Sequence, residues 1–334
     1  MEKIKIGLIG AGAIGDIHLA GFQKLEECEL EAIASRTKNH AKQFAAKYEI
    51  DHYYFGDDAW KEMLNTEELD AVSICTPNYL HAPMILESIK HDLHILSEKP
   101  ICITQGELDR VESALDGKEL IFFVMFNKRF NPIFSIVKQI LEEKLLGNLI
   151  LARYYFSHYG PYESWQALSK QKWFFDSKLA GGGVLLDLGV HVVDLLRFLI
   201  GEPTRINGIN FGTSCIDMKE EDNCNVLFEF FDNTKGLISV SWCNYPNEKI
   251  EIFGTEGTLT LDLRKQKPAS CIPKKLHQKK LIKEALSFKK SHRETYHLLI
   301  EEFIHSILDN TQGKPDFEDG KRAVEFVLDA YSLK

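Results

Sequence analysis

The chain has 334 residues, of which 44% are apolar and 27% charged, and a formal net charge of -9. That length exceeds what one core usually organises, so two domains are expected, each with the composition of an ordinary globular protein. The acidic balance argues against a general nucleic-acid binder, which needs a basic face to displace counterions from phosphates.

The opening segment, Met1 to Gly10, runs straight into a strand pattern without the apolar stretch or cleavage site of a signal peptide, so the cytoplasm is the expected location and no membrane partner is expected. Over the first 125 residues, Ile4 to Ile9, Leu30 to Ala34, Ala71 to Cys75, Leu93 to Leu96 and Leu120 to Val124 read as short apolar strands with helices between them. Continuous apolar strands separated by amphipathic helices indicate a doubly wound parallel α/β sheet covered on both faces. The run Gly10-Ala11-Gly12-Ala13-Ile14-Gly15 is G-x-G-x-x-G placed directly after a strand and opening a helix. Gly10 permits the tight turn, Gly12 lets backbone approach a pyrophosphate, and Gly15 lets helix and strand close up. The free N–H groups of the helix terminus, Ala13 and Ile14 among them, then face the anion.

About twenty residues on, where a carboxylate would hold the adenosine ribose of NAD, stand Ser35, Arg36 and Lys38. Arg36, helped by its neighbours, suits a 2′-phosphate, so NADP is favoured over NAD; an arginine stacked on adenine fits either cofactor. Glu98-Lys99-Pro100 follows the strand Leu93 to Leu96 and so lies at the carboxyl edge of the sheet, where ligands bind, with a cis Pro100 expected to fix the direction of Lys99.

After Phe130 the texture changes to a helix near Ile133 to Leu146, a long strand near Leu149 to Tyr159 and a glycine-led helix from Val184. On a helical wheel at about 100° per residue, Asp187, His191 and Asp194 share one stripe, apart from the face of Leu188, Val192, Leu195, Leu196 and Leu199. Gly189 leaves space beside that stripe. A neutral imidazole, with a pKa of about 6.5, can take a hydroxyl proton, and Asp187 can support its charged form or bind substrate. An Asp and a His one turn apart are more often a surface pair; the preceding Gly181-Gly182-Gly183, the dinucleotide turn and Lys99 favour the catalytic reading. Trp165, Tyr162 and Trp173 can wall a sugar pocket, with core packing an equal alternative.

The strands Thr204 to Thr213, Cys224 to Phe231, Leu237 to Cys243, Ile250 to Phe253 and Thr258 to Leu263 suit a largely antiparallel sheet, whose free face points to self-association. Lys265 to Lys290 carries nine lysines and one acid, read as a solvated loop or else a rim that attracts an anionic substrate. The seven cysteines are scattered, with no C-x-x-C pair, so reduced thiols and no metal are expected. Helices Glu294 to Leu308 and Gly320 to Tyr331 close the chain and are expected to pack back on earlier elements, the last on the first domain.

Together these segments resemble the glucose-fructose oxidoreductase, inositol dehydrogenase and MocA (Gfo/Idh/MocA) family over nearly the whole chain. The motifs are Gly10 to Gly15, Cys75-Thr76-Pro77-Asn78-Tyr79-Leu80-His81, Glu98-Lys99-Pro100, Asn127 to Pro132, Asp187 to His191, Phe253 to Leu259 and Asp319-Gly320. The resemblance implies a Rossmann domain (residues 1–125), then an α+β substrate-binding and oligomerisation domain (residues 126–334) in a homodimer or homotetramer. It implies NAD(P)-dependent oxidation or reduction of a sugar, polyol or nucleotide sugar, with Lys99, Asp187 and His191 catalytic. It also implies that Thr76, Pro77 and Asn78 line the cofactor and that Glu98 and Lys99 contact the nicotinamide ribose; His18 and His81 also match family positions, but a hydrogen-bonded packing role is expected for each. Two positions depart from the family pattern: Lys90-His91-Asp92 replaces a common glycine turn, and Phe174 follows Trp173 where arginine is usual. The alternatives are a redox-assisted glycoside-cleaving enzyme without net cofactor turnover and a non-catalytic dinucleotide-binding regulator. Retention of Lys99, Asp187 and His191 together argues against the regulator.

Overall fold

The computed structural model describes residues 3–163, 172–214, 220–265, 269–273 and 292–333. It divides into two compact units, residues 1–127 with 291–322, and residues 128–290 with 323–334.

The first unit is a six-stranded parallel sheet in the order β3-β2-β1-β4-β5-β6. Its strands are β1 (Ile4–Ile9), β2 (Cys28–Ser35), β3 (His52–Phe55), β4 (Ala71–Ile74), β5 (His94–Ser97) and β6 (Phe122–Val124). Helices α1 (Ala13–Phe22), α2 (Lys38–Tyr48), α3 (Ala59–Thr66), α4 (His81–Lys90) and α5 (Gln105–Leu115) connect or follow them. The strand order reverses between β1 and β4, the switch point at which open α/β sheets bind ligands. The five strands read from the sequence are present with small boundary shifts. β3 is additional: it is an edge strand with His52, Tyr53 and Phe55 exposed, so it lacks the apolar run that marks a buried strand.

The sequence reading set residues 126–334 as the second domain and allowed the last helix to pack back on the first; in the structure residues 291–322 cluster with the first unit. The reason is packing. A methyl at Gly21 of α1 would lie 2.5 Å from Ile300, so the bare glycine lets the His292–Leu308 helix seat against α1. Phe303 packs edge-on to Phe123 of β6 at 5.6 Å, and Pro315 accepts a backbone hydrogen bond from Val124.

The second unit holds a seven-stranded sheet, order β13-β12-β11-β7-β10-β9-β8. Its strands are β7 (Leu149–Ser157), β8 (Pro203–Gly212), β9 (Asn223–Phe230), β10 (Lys235–Ser241), β11 (Asn247–Gly254), β12 (Gly257–Asp262) and β13 (Ala269–Pro273). All neighbours run antiparallel except β7 and β10. Alternation sends Val226, Phe228, Ile238, Val240, Ile250, Ile252, Leu259 and Leu261 into the core. Helix α6 (Pro132–Glu142) starts with Asn131 capping Ile133 N–H and proline in its first turn. β13 falls inside the lysine-rich stretch read as loop; the rest of that stretch, residues 266–268 and 274–290, lies outside the described residues. The stretch Ser177–Leu199 is long and apolar enough to cross a membrane, but 83% of its most apolar window is buried in the fold, so the core accounts for its composition.

Candidate functional site

In the first unit the glycine run behaves as a cradle. Gly10 sits at φ +113°, and a Cβ there would lie 2.4 Å from the Cys75 carbonyl oxygen at the end of β4. A Cβ at Gly15 would lie 2.2 Å from the Gly10 carbonyl, so both positions need glycine for the fold itself. Gly12 differs: a Cβ there would have no atom within 4 Å. It occupies the N-cap of α1 without a capping side chain, and Gly12 and Ala13 are exposed while Ile14 is half-buried. The helix terminus therefore presents N–H groups to open space, the arrangement that receives a pyrophosphate. Asp16, the acid of that first turn, accepts from Lys47 and, at 2.7 Å, from Tyr48; burial works against its charge, and Lys47, Tyr48 and Arg293 together outweigh burial, lowering its pKa. These features fit a dinucleotide.

At the far end of β2, Ser35 is half-buried and Arg36 and Lys38 are exposed. The Lys38 ammonium lies 4.9 Å over the Phe55 ring of β3, so Lys38 has a stacking partner that the sequence reading did not foresee. Thr76 abuts Gly10, Pro77 caps a short turn over Asn78–Leu80, and all three residues of Thr76-Pro77-Asn78 are half-buried.

Glu98 and Lys99 follow β5, and the Lys99-Pro100 peptide is cis. Glu98 is buried, with Oε1 3.3 Å from His18 Nε2 and accepting from Tyr296 Oη at 3.4 Å, while Oε2 accepts from Lys99 N–H at 3.2 Å. His18 Nδ1 lies 2.8 Å from Ser73 Oγ. Burial opposes charge on His18, but the neighbouring Cys75 sulfur and Glu98 outweigh it and raise its pKa from 6.5 to about 10. Burial likewise opposes charge on Glu98, but the His18 bond and the charges of His18, Lys99 and His81 together outweigh it and lower the carboxyl below 4.5.

These two shifts set a pH window for stability. The raised His18 contributes fully below pH 6.5 and its contribution fades as pH climbs toward 10; the lowered Glu98 contributes above pH 4.5 and fades below it. The melting-temperature difference between wild type and His18→Asn is therefore expected to be largest between these limits and to shrink above pH 6.5. A difference that stays flat to pH 9 would show that His18 is not charged in the fold.

In the second unit the glycine-led helix departs from the sequence reading in three ways. Leu185–Gly189 is a π turn ahead of the α-helix Val190–Leu199, so the uniform wheel does not apply there. Asp194 leaves the chemical stripe: 1% exposed, it receives Arg129 Nε at 2.9 Å and Nη2 at 2.5 Å. Gly189 does not open a substrate space either, since a Cβ there would meet Leu185 at 2.7 Å.

Packing also explains two of the preceding glycines. A Cβ at Gly182 would lie 2.4 Å from the Tyr331 hydroxyl, and one at Gly183 2.1 Å from the Glu221 carbonyl. Glu221 then caps the turn, accepting from Val184 N–H on its carbonyl and from Leu185 N–H and Tyr331 Oη on its carboxylate.

Asp187 is 8% exposed, and its Oδ2 accepts from Trp242 Nε1 at 3.1 Å. His191 is half-buried one turn on. Trp173 packs edge-on to Phe174 at 5.0 Å, and Phe174 lies 5.3 Å from Trp242, so an aromatic series leads from Trp173 to the partner of Asp187. Trp165 lies outside the described residues. Lys99 belongs to the first unit, Asp187 and His191 to the second. The sequence reading missed Trp242, Glu221 and Tyr331; the one signal was a tryptophan at the carboxyl end of a strand.

Two family models match the chain. One, described as "Oxidoreductase family, NAD-binding Rossmann fold", covers residues 4–126, and the other, "GFO/IDH/MocA C-terminal domain", covers residues 134–260. Levoglucosan dehydrogenase of Pseudarthrobacter phenanthrenivorans is 28% identical over 63% of this chain and 54% of that enzyme's own length. The scyllo-inositol 2-dehydrogenase (NADP(+)) of Bacillus subtilis is 27% identical over 78% of this chain and 76% of its own. Among solved structures, the WlbA dehydrogenase from Bordetella pertussis in complex with NADH and UDP-GlcNAcA superposes with a TM-score of 0.87 at 21% identity, covering 99% of this chain and 95% of that one.

Proposed function

Because the chain belongs to the Gfo/Idh/MocA family of oxidoreductases, we propose that it moves a hydride between a nicotinamide dinucleotide and a hydroxyl-bearing carbon of a sugar, polyol or nucleotide sugar. The observation that carries this reading is the uncapped helix terminus at Gly12, open to an anion and set at the switch point of the sheet. When bound, the dinucleotide supplies the hydride acceptor or donor.

The residues divide the remaining work. Backbone N–H groups from Gly12 to Gly15 take the pyrophosphate, Thr76, Pro77 and Asn78 border the nicotinamide half, and Glu98 accepts from its ribose. Arg36, with Ser35, takes a 2′-phosphate, so NADP is the preferred cofactor; Lys38 adds positive charge from its place over Phe55. His191 accepts the hydroxyl proton on oxidation and returns it on reduction. Lys99 donates to the oxygen as it becomes a carbonyl, and Asp187, steadied by Trp242, orients the substrate hydroxyl or the imidazole. Trp173 offers an aromatic face to sugar C–H groups.

The outer face of the second sheet places Leu227 beside Leu237, and Leu151 beside Phe253. Leu227 at 52% and Ile272 at 68% exposure make it a surface for a second copy, and a sedimentation mass of two or four chains is the expected result.

The test of function is the rate of NAD⁺ and NADP⁺ reduction by purified protein across sugars, polyols and nucleotide sugars. A substrate-dependent rise in reduced-nicotinamide absorbance, faster with NADP⁺, is expected. Silence across the panel in samples that bind cofactor would overturn the proposal.

A further inference from the structure

His81 opens α4 and is 1% exposed. Its two ring nitrogens face two carbonyl oxygens: Nδ1 lies 2.6 Å from Pro100 O and Nε2 lies 2.7 Å from Thr76 O. A carbonyl oxygen only accepts, and a neutral imidazole has a single N–H to donate. In a neutral ring, one of these contacts would press a nitrogen lone pair against an oxygen lone pair, whereas an imidazolium satisfies both. Burial disfavours the charge and lowers the pKa; the two carbonyls and Glu98 oppose burial, and Lys99 sides with it. The geometry decides the matter, since both partners are carbonyl acceptors at hydrogen-bond distance and only an imidazolium donates to both. Glu98 and Lys99 are the charged groups that act on the ring from the turn after β5; His18 of α1 and Tyr296 of the His292–Leu308 helix reach Glu98 from its other side.

The ring's position gives this pairing a consequence. Thr76 begins the Thr76-Pro77-Asn78 loop beside Gly10, and Pro100 follows Lys99. β4 and β5 pair as far as Ile74 and Ser97, and Glu98 N–H reaches Ile74 O at 2.9 Å. Beyond those residues His81 bridges the two segments, one ring nitrogen on each.

We propose that His81 is an imidazolium strut that holds the Lys99 turn against the Thr76 loop, and so is a positioning residue for the reaction. Its kinetic part rests on the reading of Lys99 as a catalytic residue. Removing the strut takes away this bridge and loosens the position of the lysine relative to the dinucleotide turn; a misplacement of about 1 Å can cost about a hundredfold in rate.

Two readouts test it. In wild-type protein labelled at the histidine ring nitrogens and assigned by sequential correlation, both His81 nitrogens should carry a proton and keep it from pH 6 to pH 9. One unprotonated nitrogen in that range would overturn the strut. His81→Gln, whose two N–H donors sit on one nitrogen and so do not reproduce the two-ended contact, should lower kcat about ten- to a hundredfold while dinucleotide affinity changes far less. Unchanged kcat would overturn the positioning role. Lys99→Ala in parallel separates the two ideas: if it retained wild-type kcat, the catalytic reading of Lys99 would fall, while the nitrogen spectrum would still decide the strut. That spectrum needs no variant, so it decides even where H81Q does not fold.

Discussion

Replacing His191 with asparagine is expected to lower kcat by about 10² to 10⁴, the range that a general acid–base contributes, while leaving dinucleotide affinity within about twofold. The change keeps polarity and approximate volume, and the site tolerates it: His191 is half-buried in the first turn of the Val190–Leu199 helix, and that turn is held by backbone bonds and by its buried apolar neighbours Val190, Val192 and Val193. What the asparagine lacks is a group that can gain and lose a proton near neutrality. The proposed dinucleotide turn lies in the first unit and His191 in the second, so affinity and turnover are expected to respond separately. Stopped-flow measurement of nicotinamide reduction, alongside a binding titration of the same sample, reads both. Wild-type turnover in the mutant would remove His191 from the chemistry.

Asp194→Ala should act in the opposite sense, costing stability rather than turnover. Asp194 is 1% exposed and receives a two-pronged bond from Arg129, whose side chain is 9% exposed and stacked 5.3 Å from the Phe198 ring centre. Removing one partner of a buried ion pair leaves the other desolvated without its compensation and costs about 3 to 5 kcal/mol. Urea unfolding of the two proteins measures the loss. Turnover per folded molecule should stay within about tenfold, equivalent to about 1.4 kcal/mol of barrier. A stable mutant without activity would return Asp194 to the chemical stripe that a simple helical wheel assigns to it.

That wheel shows where sequence legibility ends. Strands buried on both faces, such as Ala71–Ile74, announce themselves because every position is apolar, or small as Ser73 is; His52–Phe55 and Ala269–Pro273 do not, being edge strands with exposed or polar positions. The glycine run was legible because Gly10 and Gly15 answer steric demands of the fold, while Gly12 leaves open the space that a pyrophosphate would need. Asp187 and His191 were legible as a pair, but a π turn between residues 185 and 189 defeats any projection that assumes one angle per residue.

Residues whose roles arise from distant partners left no local signal. Trp242 meets Asp187 across 55 positions, and Tyr331 meets Glu221 across 110. How residues 291–322 seat against the first unit was hidden for the same reason, because it depends on how Ile300 fits over Gly21. His81 reads as an ordinary packing histidine until both of its carbonyl partners are known.

The claim on which all the chemistry depends is that the turn at Gly12 receives a dinucleotide. Gly12→Ala tests it with little interference from folding, since Gly12 has ordinary extended backbone angles and an added methyl meets no atom within 4 Å. Calorimetric titration of NADPH and NADH into both proteins is the measurement. Binding by wild type, with much weaker binding by a mutant of the same melting temperature, is the result expected from a methyl pressed against the pyrophosphate. Equal binding by the two proteins, or no binding by wild type, would contradict the account.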